Sequence, residues 1–331
     1  MLSTNSAPDP AGRAALRMLM QRLPDVSVID GGYLEPFTSS EPPTLRAAPV
    51  VEGSGMRAIR VPDYSRQTAS SFGAFLDGAQ RVQVVGHRRG IPIVYATVSA
   101  AIRVRINKRF VTWGHRPPLV ARRFFLPFRY LPELAREVAT GEESLSIADT
   151  SRADINGQFP SAHPSVLQER AMRAVDELRE QLEYTLAEAW CSRAESPLFI
   201  DGGTSGNPRV ASSSCAIGVV KSHRTLHVDD DSLSIVLGLT LGERSPVFRV
   251  APRSRSAVMS WYLRVRDATG HDPLWGLVRV EVAESTTPTG RANEISRWVM
   301  KEMSPLSLPD GRWDKMSYGI RDCEEFLRAI S

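Results

Sequence analysis

The chain has 331 residues, of which 42% are hydrophobic and 24% charged, and its formal net charge is +4. These proportions are ordinary for a globular protein with a core and exclude a disordered or collagen-like chain. The three cysteines form no CxxC pair, so we expect neither a disulfide framework nor a structural zinc site, which suits a reducing cytoplasm. No apolar stretch is long enough to span a bilayer, so we expect no membrane association and a cytoplasmic location.

Two parts of the chain differ in their sequence pattern. Residues 1–65 combine a short amphipathic stretch with Pro-, Ser- and Glu-rich sequence, and predict an N-terminal extension packed on a domain at 66–331. The Val-rich, alternating sequence at 73–86 and 91–110 predicts two or three antiparallel strands near the start of that domain. The turn between them is HRRG at 87–90.

The clearest helix runs from Pro164 to about Trp190, where apolar residues recur at spacings of three and four. The sequence before it, 139–165, lacks periodic hydrophobicity and predicts a long surface connection. A short buried strand at 196–203 follows the helix. Further strands are predicted at 210–223, 233–239, 246–251, 259–266 and 274–282, and a last helix at about 291–303. This order predicts an α/β fold in which helices flank a mixed sheet.

Two short phrases, FLDG at 75–78 and FIDG at 199–202, carry most of the chemical signal. In each, an aspartate closes an apolar run and a glycine follows. A carboxylate at the end of a buried strand is costly unless it is paired or binds a cation, so Asp77 and Asp201 are candidate metal ligands. The alternative is an ordinary Asp-Gly turn, although the strand pattern continues past Asp77 through Val82 and Val84.

A third carboxylate can come from the long helix, whose end leads directly into the Asp201 strand. Glu180 and Glu183 lie three residues apart on it, next to the apolar stripe. The sequence is also compatible with an exposed acidic flank of an ordinary helix. We favour Glu183 because it neighbours Leu182, on the side expected to face the strand. Carboxylate oxygens with water and phosphate are the ligands that Mg²⁺ and Mn²⁺ prefer.

Three basic residues are candidates for contacting a phosphate. Lys221 follows the apolar run AIGVV, and next to a metal-bound phosphate its charge would stabilise a transition state. Arg264 and Arg279 alternate with apolar residues in WYLRVR and LVRVEV and are predicted to bind substrate from one sheet face. The alternatives are a solvated lysine and the ordinary polar face of a half-buried sheet.

With these residues the sequence resembles the NurA-type nucleases. These are RNase H-like, manganese-dependent DNA nucleases that form dimers and work with a HerA-type hexameric DNA-pumping ATPase. The resemblance covers most of 70–285 and depends on four phrases, FLDG at 75–78, QLEYTLAEAW at 181–190, LFIDGG at 198–203 and IGVVKSH at 217–223. It implies an RNase H-like sheet, a Mn²⁺ or Mg²⁺ ion held by Asp77, Glu183 and Asp201, and a catalytic role for Lys221.

The sequence departs from the family at several positions. Ala79 and Gly203 replace the serine that usually follows each Asp-Gly. For the family's C-terminal site residues, sequence position alone suggests His271, Asp272 and Tyr318.

The function predicted is metal-dependent hydrolysis of DNA, on single strands or ends, in DNA end processing or phage defence. The partners implied are DNA, a second copy of the chain and a HerA-type ATPase. Two alternatives stay open. One is a catalytically inactive RNase H-like module that binds DNA or the ATPase, and the other is a PIWI-like or transposase-like domain.

Overall fold

The computed structural model describes residues 42–63, 69–115, 118–133, 146–154, 156–193, 196–252, 254–285, 288–303 and 313–330, with isolated positions between 14 and 28. The strands among them are β1 (Ser27–Val28), β2 (Thr44–Leu45), β3 (Ile59–Arg60), β4 (Ala74–Arg88), β5 (Ile91–Ile106), β6 (Arg109–Thr112), β7 (Leu119–Leu126), β8 (Ile147–Asp149), β9 (Leu198–Asp201), β10 (Ala216–Val220), β11 (Thr225–Leu226), β12 (Glu243–Arg244), β13 (Phe248–Val250), β14 (Val258–Arg264) and β15 (Leu277–Val282). The α-helices are α1 (Pro164–Cys191), α2 (Pro208–Ala211), α3 (Asp230–Leu237), α4 (Pro288–Glu302) and α5 (Tyr318–Ile330), and 3₁₀ turns lie at Trp113–His115, Phe128–Tyr130 and Trp313–Lys315. The fold is α/β, as the sequence predicts.

One mixed sheet holds most of the described strands, in the order β3-β12-β14-β15-β10-β9-β4-β5-β7-β8. At its centre, β5 pairs antiparallel with both β4 and β7. On the other side, β4 pairs parallel with β9, and β9 pairs parallel with β10. Helix α1 lies between β8 and β9 in the chain, so it connects the strands on one side of β4 to the parallel strands β9 and β10 on its other side.

Helices cover both faces of this sheet. On one face, α1 packs its apolar stripe, including Val175 and Ala187, on residues of β4, β5 and β9. On the other face, α4 and α5 pack on an aromatic core around Phe75 and Phe199. The central strands are therefore buried on both sides, which explains their continuous apolar sequence.

Several predicted elements are confirmed. The hairpin of β4 and β5 turns at Arg89 and Gly90, both with positive φ. Helix α1 begins at Pro164, and its N-cap is His163, whose side chain accepts a hydrogen bond from the Ser165 amide.

The structure corrects three other predictions. The segment 233–239, predicted as a strand, lies largely in α3, because the Asp229 carboxylate caps that helix and two acidic residues occupy its first turn. The strand predicted at 210–223 is only Ala216–Val220, and the residues before it form α2. Helix α5 was not predicted, and within the long connection expected at 139–165 a short strand, β8, pairs with β7.

Two short strands of the N-terminal segment, β1 and β3, join the main sheet, whereas β2 pairs with β11 in a separate two-stranded sheet. β3 pairs with β12, and Val61 lies in the core. Glu52 forms a bidentate ion pair with Arg244 at 2.6 and 2.8 Å, and both side chains are buried. The same carboxylate accepts the Val247 amide at 2.9 Å, so Glu52 anchors this segment to the sheet. The rest of 1–65 lies largely outside the described residues.

Among the described residues, no helix has both the length and the apolarity needed to cross a bilayer.

The Glu52–Arg244 pair yields the first prediction. Glu52→Ala leaves the Arg244 guanidinium buried without its carboxylate, which should lower the free energy of unfolding by about 3–5 kcal/mol. Urea unfolding followed by fluorescence measures this loss. The matched control is Glu284→Ala, which removes an ion pair with Arg249 whose side chains are 43% and 44% exposed. The control should cost under about 1 kcal/mol. Equal losses in both variants would contradict the anchoring role of Glu52.

Candidate functional site

Asp77 and Asp201 lie side by side on neighbouring strands. β4 and β9 pair in parallel up to Leu76 and Ile200, so the two aspartates occupy the next register position. Phe75 and Phe199 each lie two residues before one of these aspartates, and their rings are in contact, with centroids 5.7 Å apart. Since side chains alternate along a strand, both aspartates project from this same face. β9 ends at Asp201 while β4 continues to Arg88, so the pair lies at a step in the sheet.

Lys221 lies on the same face of the sheet as the two aspartates, at the end of the neighbouring strand β10. It follows β10, and alternation places it on the face of Ile217 and Val219, which is also the face of Phe75. Its Nζ donates to Oδ2 of Asp201 at 2.8 Å. Burial alone would lower the pKa of Lys221, but the carboxylate of Asp201, and behind it that of Asp77, hold this pKa above its usual range. Lys221 therefore carries a positive charge beside Asp201 at neutral pH.

Asp77 is the acid of the site whose negative charge its surroundings oppose most strongly. Its side chain is only 6% exposed, and its Oδ1 accepts the amide of Gly78 at 2.8 Å. Burial first, and then the Asp201 carboxylate, raise the pKa of Asp77 well above its usual range, although Lys221 acts in the opposite direction. Among the described residues, no basic side chain lies within ion-pair distance of Asp77. The fold thus holds a carboxylate where its negative charge is poorly compensated.

Glu183 approaches the aspartates from the opposite face of the sheet. It lies on α1 above Gly78, where a Cβ atom would collide with its carboxylate. Arg179, one turn earlier, donates to Oε1 of Glu183 at 2.7 Å. Burial raises the pKa of Glu183 to about 7 despite the opposing charge of Arg179. Gly78 is therefore needed for a reason the turn interpretation does not supply, because it makes room for this carboxylate.

Glu180 is placed differently. Its side chain is 44% exposed and lies 3.6 Å from Arg255 at the surface. Glu183 is 9% exposed and faces β4. Glu183, and not Glu180, is therefore the one of these two glutamates that faces the sheet.

Glu324 is a member of the cluster that the sequence analysis missed. It lies on α5, and its charge contributes to raising the pKa of both Asp77 and Lys221. With Asp201 and Lys221 it lines a cavity of about 390 Å³, whose other walls include Asp314 and Lys315. The amphipathic pattern of YGIRDCEEFLRAI, with buried Ile320, Cys323 and Leu327, was the signal that could have revealed this helix.

Glu281 was also missed, and it positions the loop after Asp201. It lies on β15 with 2% exposure, and its carboxylate accepts the Thr204 amide at 2.8 Å. Gly203 packs against the same carboxylate, so the buried Glu281 holds the backbone that follows FIDG (199–202) in place.

The substrate-binding predictions for Arg264 and Arg279 do not agree with their positions. Arg264 is fully buried and donates to the carbonyl groups of Leu237, Leu239, Pro273 and Trp275, so it connects loops inside the protein. Arg279 pairs with Glu281 at 2.9 Å, and its side chain is 12% exposed. Arg279 is also the register partner of Val220, so it projects from the face opposite to Lys221.

The C-terminal candidates do not line the cavity beside Asp201. His271 stacks on Trp275, Asp272 accepts the Leu274 amide, and Tyr318 is 49% exposed. Glu324, which lies six residues after Tyr318, does line that cavity.

The donor set fits a hard divalent cation in its chemistry, since every candidate offers carboxylate oxygens. In this conformation, however, no three acidic, histidine or cysteine groups of the described residues converge closely enough to hold an ion. Lys221 and Arg179 instead neutralise Asp201 and Glu183. Asp77, Asp201 and Glu183 would be the residues that hold a cation, which would replace Lys221 and Arg179 as the positive charge beside Asp201 and Glu183.

Models of known protein families gave no match to this chain, and neither did the curated proteins. The resemblance to the NurA-type nucleases therefore stays a prediction.

Because the pKa of Asp77 is raised, replacing Asp77 by a neutral residue should increase the free energy of unfolding by an amount that depends on pH. A carboxyl group whose pKa is higher in the folded than in the unfolded protein makes its full contribution to stability below the unfolded pKa. That contribution is lost as the pH rises toward the folded pKa. In the metal-free protein, Asp77→Asn should match wild type near the usual carboxyl pKa of 3.8 and become more stable as pH increases. By pH 8 the gain in the free energy of unfolding should be about 1 kcal/mol or more.

Urea unfolding across this pH range measures the gain, and Asp231→Asn is the control, since Asp231 is exposed in the first turn of α3. If Asp77→Asn were less stable than wild type at pH 8, the uncompensated charge inferred for Asp77 would be wrong.

Proposed function

We propose that this protein is a metal-dependent deoxyribonuclease that cleaves single strands or DNA ends. The observation that carries the proposal is the alignment of Asp77 and Asp201 on two parallel strands with the Lys221 ammonium on the same face. The neighbouring Asp201 carboxylate is one cause of the raised pKa of Asp77, and a divalent cation would relieve the repulsion between the two carboxylates. Perturbed carboxyl groups of this kind concentrate at functional sites.

The chain's own residues would have separate roles in hydrolysis. Asp77 and Asp201, with Glu183, would hold Mn²⁺ or Mg²⁺. When bound, the cation would supply Lewis-acid polarisation of the scissile phosphate and a more acidic bound water. Lys221 would contact a phosphate oxygen and stabilise the charge that develops there. The cavity beside Asp201, at about 390 Å³, has room for a phosphate group and water.

The sheet supports the RNase H-like part of the proposal. Taken in chain order, the five central strands β4, β5, β7, β9 and β10 lie in the spatial order third-second-first-fourth-fifth, with the second strand antiparallel to its neighbours. We take this strand order as support for an RNase H-like sheet. The aspartates lie on the first and fourth of these strands. The site is recessed below α5, and this recess favours a single strand or a frayed end over a continuous duplex.

A catalytically inactive module that binds DNA or a partner is the second candidate. It is favoured by the two ion pairs of Asp201 with Lys221 and Glu183 with Arg179, which already neutralise two of the three proposed ligands. In such a module the cluster would stabilise the fold without binding a metal.

The proposed partners depend on the family resemblance. They are DNA, a second copy of this chain in a homodimer, and a HerA-type hexameric ATPase that would deliver DNA to the site, in the cytoplasm, during end processing or phage defence. Arg264 and Arg279 have no part in the DNA contact proposed here.

The first test of this function is a cleavage assay on end-labelled single- and double-stranded DNA with Mn²⁺, Mg²⁺ or EDTA. Wild type should cleave single strands with either cation and not with EDTA. Asp77→Asn and Asp201→Asn should each lose activity by about 100-fold or more while folding normally. DNA binding by wild type that is unchanged by EDTA, without cleavage under any of these conditions, would support the inactive module instead.

Helix α1 provides a matched pair for the second test. Glu183→Gln should lower cleavage by roughly 100-fold, because it removes a proposed ligand. Glu180→Gln changes the same chemical group three residues earlier, at a surface position, and should remain within about twofold of wild type. Manganese titration by calorimetry should show weaker binding for Glu183→Gln alone. The reverse pattern would transfer the ligand role to Glu180.

A further inference from the structure

The cavity beside Asp201 contains a second lysine, Lys315, in addition to Lys221. Lys315 is the last residue of the 3₁₀ turn Trp313–Lys315, and its side chain is 15% exposed. Both lysines line this cavity of about 390 Å³. Lysine occurs only at 108, 221, 301 and 315, so half of the lysines of the chain meet here, in a cavity that also contains acidic groups.

Hydrogen bonds fix the position of Lys315. The preceding residue, Asp314, is 4% exposed, and its Oδ2 accepts the Gly276 amide at 2.6 Å. Nζ of Lys315 donates to the carbonyl oxygen of Lys221 at 3.2 Å. The Lys315 ammonium therefore lies against the residue whose own ammonium donates to Asp201.

The surroundings of Lys315 oppose its positive charge. Burial is the largest cause that lowers its pKa, and Lys221 is a smaller cause in the same direction, whereas the Asp314 carboxylate at 4.0 Å acts against both. Two ammonium groups that repel each other at the wall of one cavity are stabilised by an anion that both of them bind.

A phosphate group is the anion whose chemistry fits these two lysines. Each ammonium has three protons that rotate to meet phosphate oxygens, and charge-assisted hydrogen bonds of this kind are short and strong. A backbone phosphate has two non-bridging oxygens, one for each lysine. Ser222 lines the same cavity and adds a hydroxyl donor.

Entry of this anion depends on the charge of the neighbouring acids. The metal-free cavity also holds the carboxylates of Asp201 and Glu324, and Lys221 is paired with Asp201. Such a cavity repels an anion. Binding of a divalent cation by Asp77 and Asp201 would balance their charge and release the Lys221 ammonium. The cation and the phosphate would then each favour binding of the other.

We propose that Lys315 and Lys221 together bind one phosphate of the DNA backbone, and that they do so only when a divalent cation is held by Asp77 and Asp201. This inference rests on the proposed function, because it takes DNA as the substrate and the two aspartates as cation ligands. It makes Lys315 a substrate-binding residue whose charge contributes to the affinity for DNA.

Fluorescence anisotropy of a fluorescein-labelled DNA single strand tests this subsite without relying on cleavage. The titrations are made in Ca²⁺, which takes oxygen ligands as Mn²⁺ does, and are read before any strand is cut, as checked on a denaturing gel. Lys315→Gln removes the charge but keeps an amide donor for the Lys221 carbonyl. It should raise the Kd about 10-fold, the effect of losing one hydrogen bond to a charged group. The slope of log Kd against log salt concentration should fall by about 0.7, the value for one phosphate contact on a single strand.

Two further variants and one condition separate phosphate binding from a structural role. Lys315→Arg keeps the charge and should retain the wild-type salt dependence. Lys108→Gln removes the same group at the exposed turn between β5 and β6, outside the cavity, and should stay within about twofold of wild type. In EDTA, wild type and Lys315→Gln should have the same Kd, whereas a structural defect would weaken binding in EDTA as well.

The outcomes distinguish the subsite from the function on which it rests. Equal affinity and salt dependence of wild type and Lys315→Gln in Ca²⁺ would overturn the subsite, and so would an equal loss in Lys108→Gln. The expected loss of binding in Lys315→Gln, together with no cleavage by wild type in Mn²⁺, would refute the nuclease and support the subsite. Absence of DNA binding by wild type would refute both.

Discussion

The parallel pairing of β4 with β9 places two buried-strand carboxylates, Asp77 and Asp201, next to each other. Adjacent parallel strands lie about 4.8 Å apart, so residues in register on one face cannot separate their charges. The pairing is fixed by the aromatic contact of Phe75 with Phe199 one pleat earlier. A fold that holds two acids this close requires positive charge beside them.

The neighbouring elements supply that charge in an ordered way. β10 brings Lys221 to Asp201 on the same face, and α1 brings Glu183 with its own partner Arg179 on the other face. Two glycines make this possible, because Gly78 leaves space for the Glu183 carboxylate and Gly203 packs on Glu281. α5 then closes the cavity with Glu324. The site contains more acid than base, and this imbalance is the physical reason to expect a cation there.

The sequence was informative where a local pattern determines the structure. The apolar runs and Asp-Gly phrases pointed to Asp77 and Asp201, and the periodicity of α1 predicted the helix that carries Glu183. It was less informative where a pattern has two meanings. LSIVLGL is an apolar run suited to a strand or a helix, and the Asp229 cap decides for the helix. Arg264 follows an alternating pattern typical of a half-exposed strand, yet β14 is covered on both faces and its arginine satisfies buried carbonyl groups.

Sequence patterns did not indicate the long-range contacts. Nothing near Glu52 indicates its partner Arg244, and nothing near Glu324 indicates that α5 packs over the aspartates. These contacts depend on how distant segments meet, which a single sequence with short motifs does not specify.

Crystals of the full chain soaked in Mn²⁺, with data collected at a wavelength where manganese scatters anomalously, test the central claim most directly. We predict an anomalous peak within about 2.5 Å of carboxylate oxygens of both Asp77 and Asp201. Absence of a peak there at saturating Mn²⁺, with Lys221 still paired to Asp201, would contradict it.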